Sequence, residues 1–456
     1  MMKLSAKTQI PASTVARRLI LSALFLCAFG ATPALAALNV SPIFRSNMVL
    51  QRGMACPVFG AGDIGSTVTV QFQNQTVSTT VGSGGKWQVN LSSMAASTAP
   101  STMTVSATGS PSVMFNGVQI GEVWLMSGQS NMGFPLSNAN DSAPYIADAA
   151  NHNIRLFRMI AGNGPSTSSW QISDSTTADD FSAVGYWAGL ELSKKLNVPV
   201  GLIQATHDGT NISEWETSNG GTGADYIAMV KAIQPFAIRG IGWYQGESNG
   251  GDAAYETKLR DMISQWRTDW SRPDVPFGIV QLPATKWTTA RVAQFNVSQT
   301  VANTFLVVTH DLPDSSQLHP PTKRPVGIRL AIAARATVYG ESIEYSGPVC
   351  ALPPTSFVIG NKVVLKWTHK GNGLSTLDGG ALQTFQIAGS NGRYTSATAA
   401  IVGDTVEVTS GVAAPKAVRY GFSSGANLSN NVNIPVEGGT ATVTQLPGSL
   451  FELKFP

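Results

Sequence analysis

Charge is what this sequence of 456 residues has least of. Only 12% of its residues are charged, where roughly a quarter is usual, so it has no polyelectrolyte surface. Gly, Ser, Thr and Asn fill the gap, which suits a β-rich protein of the cell exterior. Four of the cations, Lys3, Lys7, Arg17 and Arg18, lie ahead of an apolar run from Leu19 to Phe29. Removing them takes the formal charge from +3 to −1, so the remainder offers no basic field for nucleic acid or a membrane surface. Cysteine is scarce as well. Cys27 lies in the N-terminal segment, which leaves Cys56 and Cys350 far apart, with five histidines scattered along the chain. No metal-ligand spacing results, and neither a metal nor a cofactor is expected. An oxidising compartment permits a Cys56–Cys350 disulfide, but sequence alone leaves the pairing open.

The one long apolar run is too short to span a bilayer and ends in Ala34-Leu35-Ala36, a small-residue cleavage site. This predicts a signal peptide over 1–36, cleaved near Ala36, and a secreted or periplasmic protein without stable membrane insertion. Sequons occur at Asn74, Asn90, Asn211, Asn296 and Asn427.

From 37 to about 115 the pattern is β. "STVTVQFQNQTVSTTV" alternates apolar and polar residues, and "GGKWQVNLSS" follows a glycine turn. From 116 to 340, short apolar runs ("EVWLM", "PVGLIQA", "IRGIGWY", "PFGIVQL", "TFLVVT") alternate with helical stretches. In "YETKLRDMISQWRTDW", Leu259, Met262, Ile263 and Trp266 share one helical face. The alternation predicts an α/β region with a mostly parallel sheet and helices on both faces. Functional groups then gather on the loops after the strands. From 341 to 456 strands and turns return, as in "NKVVLKW" and "DTVEVTS".

Four strand-end loops carry the candidate chemistry. Ser127-Gly128-Gln129-Ser130-Asn131 places Ser130 at a tight glycine turn. "GLIQATHDGT" runs into Gly209, and "WYQGESN" offers Gln245, Glu247 and Asn249. "DLPDSSQLHPPTKRPVG" brings His319 just before a helix start. A serine hydroxyl needs a base within hydrogen-bond reach, and His319 is the best placed, with His207 and His310 as competitors. Donors to a developing oxyanion would come from the Ser130 N–H, the Gly209 N–H and the Asn249 amide. A rival nucleophile exists: Gly246-Glu247-Ser248-Asn249-Gly250 matches G-x-S-x-G. An elbow serine is followed at once by a helix, however, and here "NGGD" intervenes, with Asp252 as the expected N-cap.

"GEVWLMSGQSNM", "WYQGESN" and "LHPPTKRPVGIRLA", with "NMVLQRG" (47–53), "FSAVGYWAGLEL" (181–192) and "AVRYGFSSGANLSNN" (417–431), resemble the sialate O-acetylesterase family, a branch of the SGNH hydrolases. The resemblance implies a flavodoxin-like parallel sheet flanked by β-rich regions. It also implies Ser130 as nucleophile, His319 as base, and Ser130, Gly209 and Asn249 as the oxyanion hole. Gln129, Gln245 and Glu247 would be substrate or supporting contacts. The substrate would be an O-acetylated saccharide: sialic acid, or a plant polysaccharide such as xylan. Relatives often carry an aspartate two or three residues before the histidine; here Gln317 and Ser316 stand there. That leaves Asp314 as a candidate acid, a Ser–His dyad oriented by a backbone carbonyl, or a carbohydrate-binding protein that has lost catalysis. Lys323 and Arg324 are expected at a solvated helix start, and Trp215 is a candidate for lining the pocket.

Overall fold

In the computed structural model, which describes residues 38–283 and 285–456, the parallel strands grow outward from one long central strand. The expected signal peptide over 1–36, with Cys27, lies outside the described residues. We number the strands of the central sheet β1 (Val113–Gly128), β2 (Ile154–Met159), β3 (Trp170–Ile172), β4 (Val200–Thr206), β5 (Gly240–Tyr244), β6 (Phe277–Val280) and β7 (Thr304–Val307). Their order across the sheet is β3-β2-β4-β1-β5-β6-β7. All pairings are parallel except β3 on β2. The chain therefore builds one side of β1 before crossing to the other. β1 lies between β4 and β5, at the point where the direction of growth reverses, and crevices for ligands form at such points beyond the strand C-terminal ends.

β4, β5 and β6 are buried at every residue, as strands covered on both faces must be. Adjacent residues of β5 show which helices do the covering, because successive side chains point to opposite faces. Gly242 faces Leu330 of the helix Arg324–Thr337, where an added Cβ would sit 3.1 Å from its Cδ2. Trp243 faces Trp266 of the helix Tyr255–Asp269, ring centroids 5.7 Å apart. Leu259, Met262, Ile263 and Trp266 are all buried on that helix, as their spacing predicted. The helix starts two residues later than expected, with Ala254 rather than Asp252 at the N-cap. Asp252 accepts instead from Ala254 N and Lys258 Nζ (both 2.9 Å), bracing the turn before it.

The first half of β1 belongs to another layer. It pairs antiparallel with Ser97–Ala107, which pairs with Thr67–Phe72, which in turn pairs with Gln75–Thr80. The change of pattern near residue 116 thus falls inside one strand, and a single hydrophobic cluster runs from Ile43 to Ala334. The C-terminal strands have cores of their own. One includes Phe295 from the helix Thr288–Thr300, and the other includes Ile328 and Ile332 from Arg324–Thr337. Beside the second core, Arg335, fully buried, donates to Pro435 O (3.0 Å) and binds Glu191 (2.7 Å) and Glu341 (2.7 and 2.8 Å).

Cys56 and Cys350 are free, buried thiols, so the disulfide left open by the sequence does not form. Burial pushes the Cys56 thiol up to about 12. Asn427 is buried with its amide donating to Asp378 and Ala381, which takes that sequon out of reach. Among the described residues, no helix is long and apolar enough to cross a membrane.

Candidate active site

The site begins where β1 ends. Gly128 has φ +135°, and a Cβ there would lie 2.1 Å from Tyr244 O, so only glycine lets β1 and β5 close at their ends. The chain then turns into one short helical turn, Ser130–Gly133. Gln129 anchors it: its N–H donates to Tyr244 O (3.1 Å), and its carbonyl accepts from Met132 (2.9 Å) and Gly133 (3.0 Å). Ser130 stands at the first helical position, half-buried, with its own N–H lacking an acceptor among the described residues.

His319 reaches Ser130 from 189 residues downstream, its Nε2 2.7 Å from Ser130 Oγ. The two loops are tied by Asn131. Its Nδ2 donates to Leu318 O (2.9 Å), next to His319, and to Glu247 Oε1 (2.5 Å). Its Oδ1 accepts from Lys323 Nζ (2.5 Å). Lys323 is therefore not solvated. It is buried, with Nζ 5.0 Å from the Phe134 ring centroid and 5.3 Å from that of Tyr244. Arg324 pairs with Glu437 (Nη2–Oε1 2.6 Å).

This packing sets the protonation. Burial pushes Lys323 down to about 7, opposed by the Glu247 charge, and burial raises Glu247. His319 is held below its ordinary value, first by desolvation and then by the Lys323 charge, with Asp208 acting in the opposite direction. A neutral imidazole at neutral pH, within hydrogen-bond reach of a hydroxyl, is the state a general base requires.

The other two loops close around this pair. Gly209 has φ +73°, and its N–H has no acceptor among the described residues. Asn249 is buried. Its Oδ1 accepts from Ile212 N and Gln245 Nε2 (both 2.8 Å), and its Nδ2 donates to Asp252 (3.2 Å), leaving one amide hydrogen. Gln245 is fully buried, donating to Thr210 O (3.1 Å) and accepting from Tyr255 OH (3.0 Å). Gln129 is buried with its amide nitrogen toward Thr210 O (3.1 Å) and Glu247 Oε2 (3.3 Å), the orientation that pairs donor with acceptor. These two glutamines thus brace the loops.

Asp314 is exposed on the His319 loop, and the two side chains share no hydrogen bond. Asp311 is committed to Arg329 through two bonds of 2.7 and 2.5 Å. Ser248 sits inside a 3-10 turn, Glu247–Asn249, and donates to Gly209 O (3.0 Å), sharing no hydrogen bond with a histidine among the described residues. The other histidines are engaged elsewhere: His152 with Tyr186 OH, His207 with Asp225, His310 with Gly448 O and His369 with Glu344. Trp215 is fully buried against Trp243 (5.6 Å), in the core rather than on an open surface. Beside Gly209 lies a cleft of about 520 Å³ lined by His207, Thr210, Asn211, Glu214 and Asp225. Asn131 and Lys323 lie inside the quoted "GQSN" and "LHPPTKR" stretches, but nothing in those stretches marks what they bond, and the His207–Asp225 pair has no such motif. The partners of Asn131 lie 116 to 192 residues away, so only the fold brings them together.

Residues 120–336 match the family model of carbohydrate esterase, sialic acid-specific acetylesterase. Sialate O-acetylesterase of Homo sapiens is 26% identical over 404 residues, covering 71% of this chain and 75% of that protein. The enzyme of the same name from Mus musculus is 26% identical over 405 residues, covering 66% and 74%. The crystal structure of a carbohydrate acetylesterase from Xanthomonas citri is 31% identical, covers 91% of this chain and 98% of its own, and superposes with a TM-score of 0.79. Fold, site and relatives together define a carboxylic ester hydrolase. The chain belongs to the sialate O-acetylesterase family.

Proposed function

We propose that the protein removes O-acetyl groups from a saccharide by a serine acyl-enzyme mechanism. The observation that carries this reading is the 2.7 Å approach of His319 Nε2 to Ser130 Oγ. In this mechanism Ser130 Oγ attacks the acetyl carbonyl while His319 Nε2 takes its proton. The Ser130 N–H, the Gly209 N–H and the remaining Asn249 Nδ2 hydrogen meet the oxyanion. Each such donor contributes about 10²–10³ in rate. His319 returns the proton to the departing sugar oxygen, and water then releases acetate by the same route. With no carboxylate bonded to His319 among the described residues, the pair works as a dyad, its loop held by Asn131 at Leu318 O.

In this reading residues 116–340 form an SGNH hydrolase unit. Without the added β2 and β3, the strand order is flavodoxin-like, and the β-rich regions 37–115 and 341–456 flank the unit. The sequence of residues 1–36 supports export, with cleavage near Ala36, to a secreted or periplasmic location.

The substrate class has two readings. Family membership favours O-acetylated sialic acid. An acetylated neutral polysaccharide such as xylan is favoured by the spent cations: Lys323 is held by Asn131 and Arg324 by Glu437. The cleft beside Gly209 adds Glu214 and Asp225, which suit hydroxyls rather than a sugar carboxylate. Acetate release from O-acetylated sialic acid and from acetylated xylan, with Ser130→Ala beside the wild type, tests both. Turnover of either that is lost in Ser130→Ala supports the esterase, and the ratio of the two rates picks the substrate. Saccharide affinity without acetate release would point to a binding protein.

A further inference from the structure

The stretch 417–431 takes no part in the Ser130–His319 site, yet Ser423 and Ser424 from it help to line a separate cavity of about 90 Å³. Arg291, His310, Ser315 and Ser316 line the same cavity. Arg291 lies on the helix Thr288–Thr300 and is only 1% exposed. Its Nη1 donates to Gly421 O (3.1 Å), and its Nε has no hydrogen-bond partner among the described residues.

The other buried arginines are provided for. Arg335 has Glu191 and Glu341. Arg267 has no carboxylate in hydrogen-bond contact among the described residues but gives its Nε to Val275 O and its Nη2 to Ala302 O and Asn303 O. Arg291 has one carbonyl and no ion pair among the described residues. Burial accordingly pushes its guanidinium down to about 10. An unpaired buried cation is costly, and natural proteins pair it with an anion. The carboxylate of Asp311 is taken by Arg329, and His310 spends Nε2 on Gly448 O (2.9 Å). The cavity has the volume of roughly three waters, enough for one carboxylate or tetrahedral oxyanion but not for a whole monosaccharide.

We infer that this cavity is a binding site for a small oxyanion, a carboxylate or a phosphate, held by the Arg291 guanidinium and the serine hydroxyls around it. Guanidinium and hydroxyl donors form the charge-assisted bonds such a group needs. Ser315 and Ser316 belong to the loop that ends in His319, so the bound anion joins that loop to the C-terminal β region.

The test is calorimetric titration of the full chain with inorganic phosphate, acetate and glucuronate at matched ionic strength. Ser130→Ala, Arg291→Gln and Ser424→Asp are titrated alongside. Ser424→Asp keeps the guanidinium and supplies an internal carboxylate, so it remains informative if Arg291→Gln fails to fold. The expected result is saturable, single-site phosphate binding, unchanged in Ser130→Ala and weakened about 10- to 100-fold in the two cavity variants. Binding of glucuronate as well marks the carboxylate of an acidic saccharide as the natural source. Binding of phosphate and acetate alone marks a free anion. Absence of saturable binding to the wild type, or undiminished affinity in a folded Ser424→Asp protein, overturns the proposal.

Discussion

Replacing Asn131 with alanine should destabilise the protein in a pH-dependent way. The side chain makes three bonds: to Glu247 (2.5 Å), to Leu318 O (2.9 Å) and to Lys323 Nζ (2.5 Å). Two involve charged partners, worth about 1.5–3 kcal/mol each, and one is neutral, worth about 0.5–1.5 kcal/mol. Members of one network do not add, so we expect a net loss of about 3–4 kcal/mol at pH 6. Lys323 titrates near 7 in the folded protein. Below that pH the substitution strands a buried ammonium without its acceptor; above it the amine is already neutral and loses less. The cost should therefore fall to about 2 kcal/mol at pH 8.5. Denaturant unfolding at the two pH values measures this. The His319 loop also loses its tie at Leu318, so kcat/KM should drop about 10- to 100-fold through misplacement of the base. A cost below about 1 kcal/mol, or the same cost at both pH values, would refute the reasoning.

Three further outcomes are expected. Asp314→Ala should leave kcat/KM within about twofold of wild type, because this exposed side chain makes no bond to His319. A large loss would restore it as the acid. In the proposed mechanism His319 is the base and acts when neutral; it is held below 6.5, so kcat/KM should decline only as pH falls through a value lower than that. Lys323→Met removes a like charge and should move this acid limb upward, which a pH–rate profile detects. Gly128→Ala should cost about 3 kcal/mol or more, visible as a lowered Tm, because its Cβ would meet Tyr244 O at 2.1 Å.

What the sequence made legible was local or periodic. The buried face of Tyr255–Asp269 followed from helical spacing, and the strand-end loops followed from apolar runs broken at glycine. The Ser130 and His319 motifs stood out because their residue types rarely have another reason to sit together. What stayed hidden depends on meetings between distant segments. Lys323, at a helix start, reads as solvated until Phe134, Tyr244 and Asn131 fold over it. Trp215 reads as a pocket wall until Trp243 and Trp266 enclose it. The change of pattern near 116 conceals that Val113–Gly128 serves two layers, since strand periodicity does not reveal which partner lies on which side.

The central claim is that Ser130, and not Ser248, carries the acyl group. Rapid acid quench during turnover of an activated aryl acetate, followed by peptide mass spectrometry, tests it directly. The account predicts one acetyl group on the peptide that contains Ser130, absent in Ser130→Ala and retained in Ser248→Ala. An acetyl group on Ser248, or full turnover by Ser130→Ala, would contradict it.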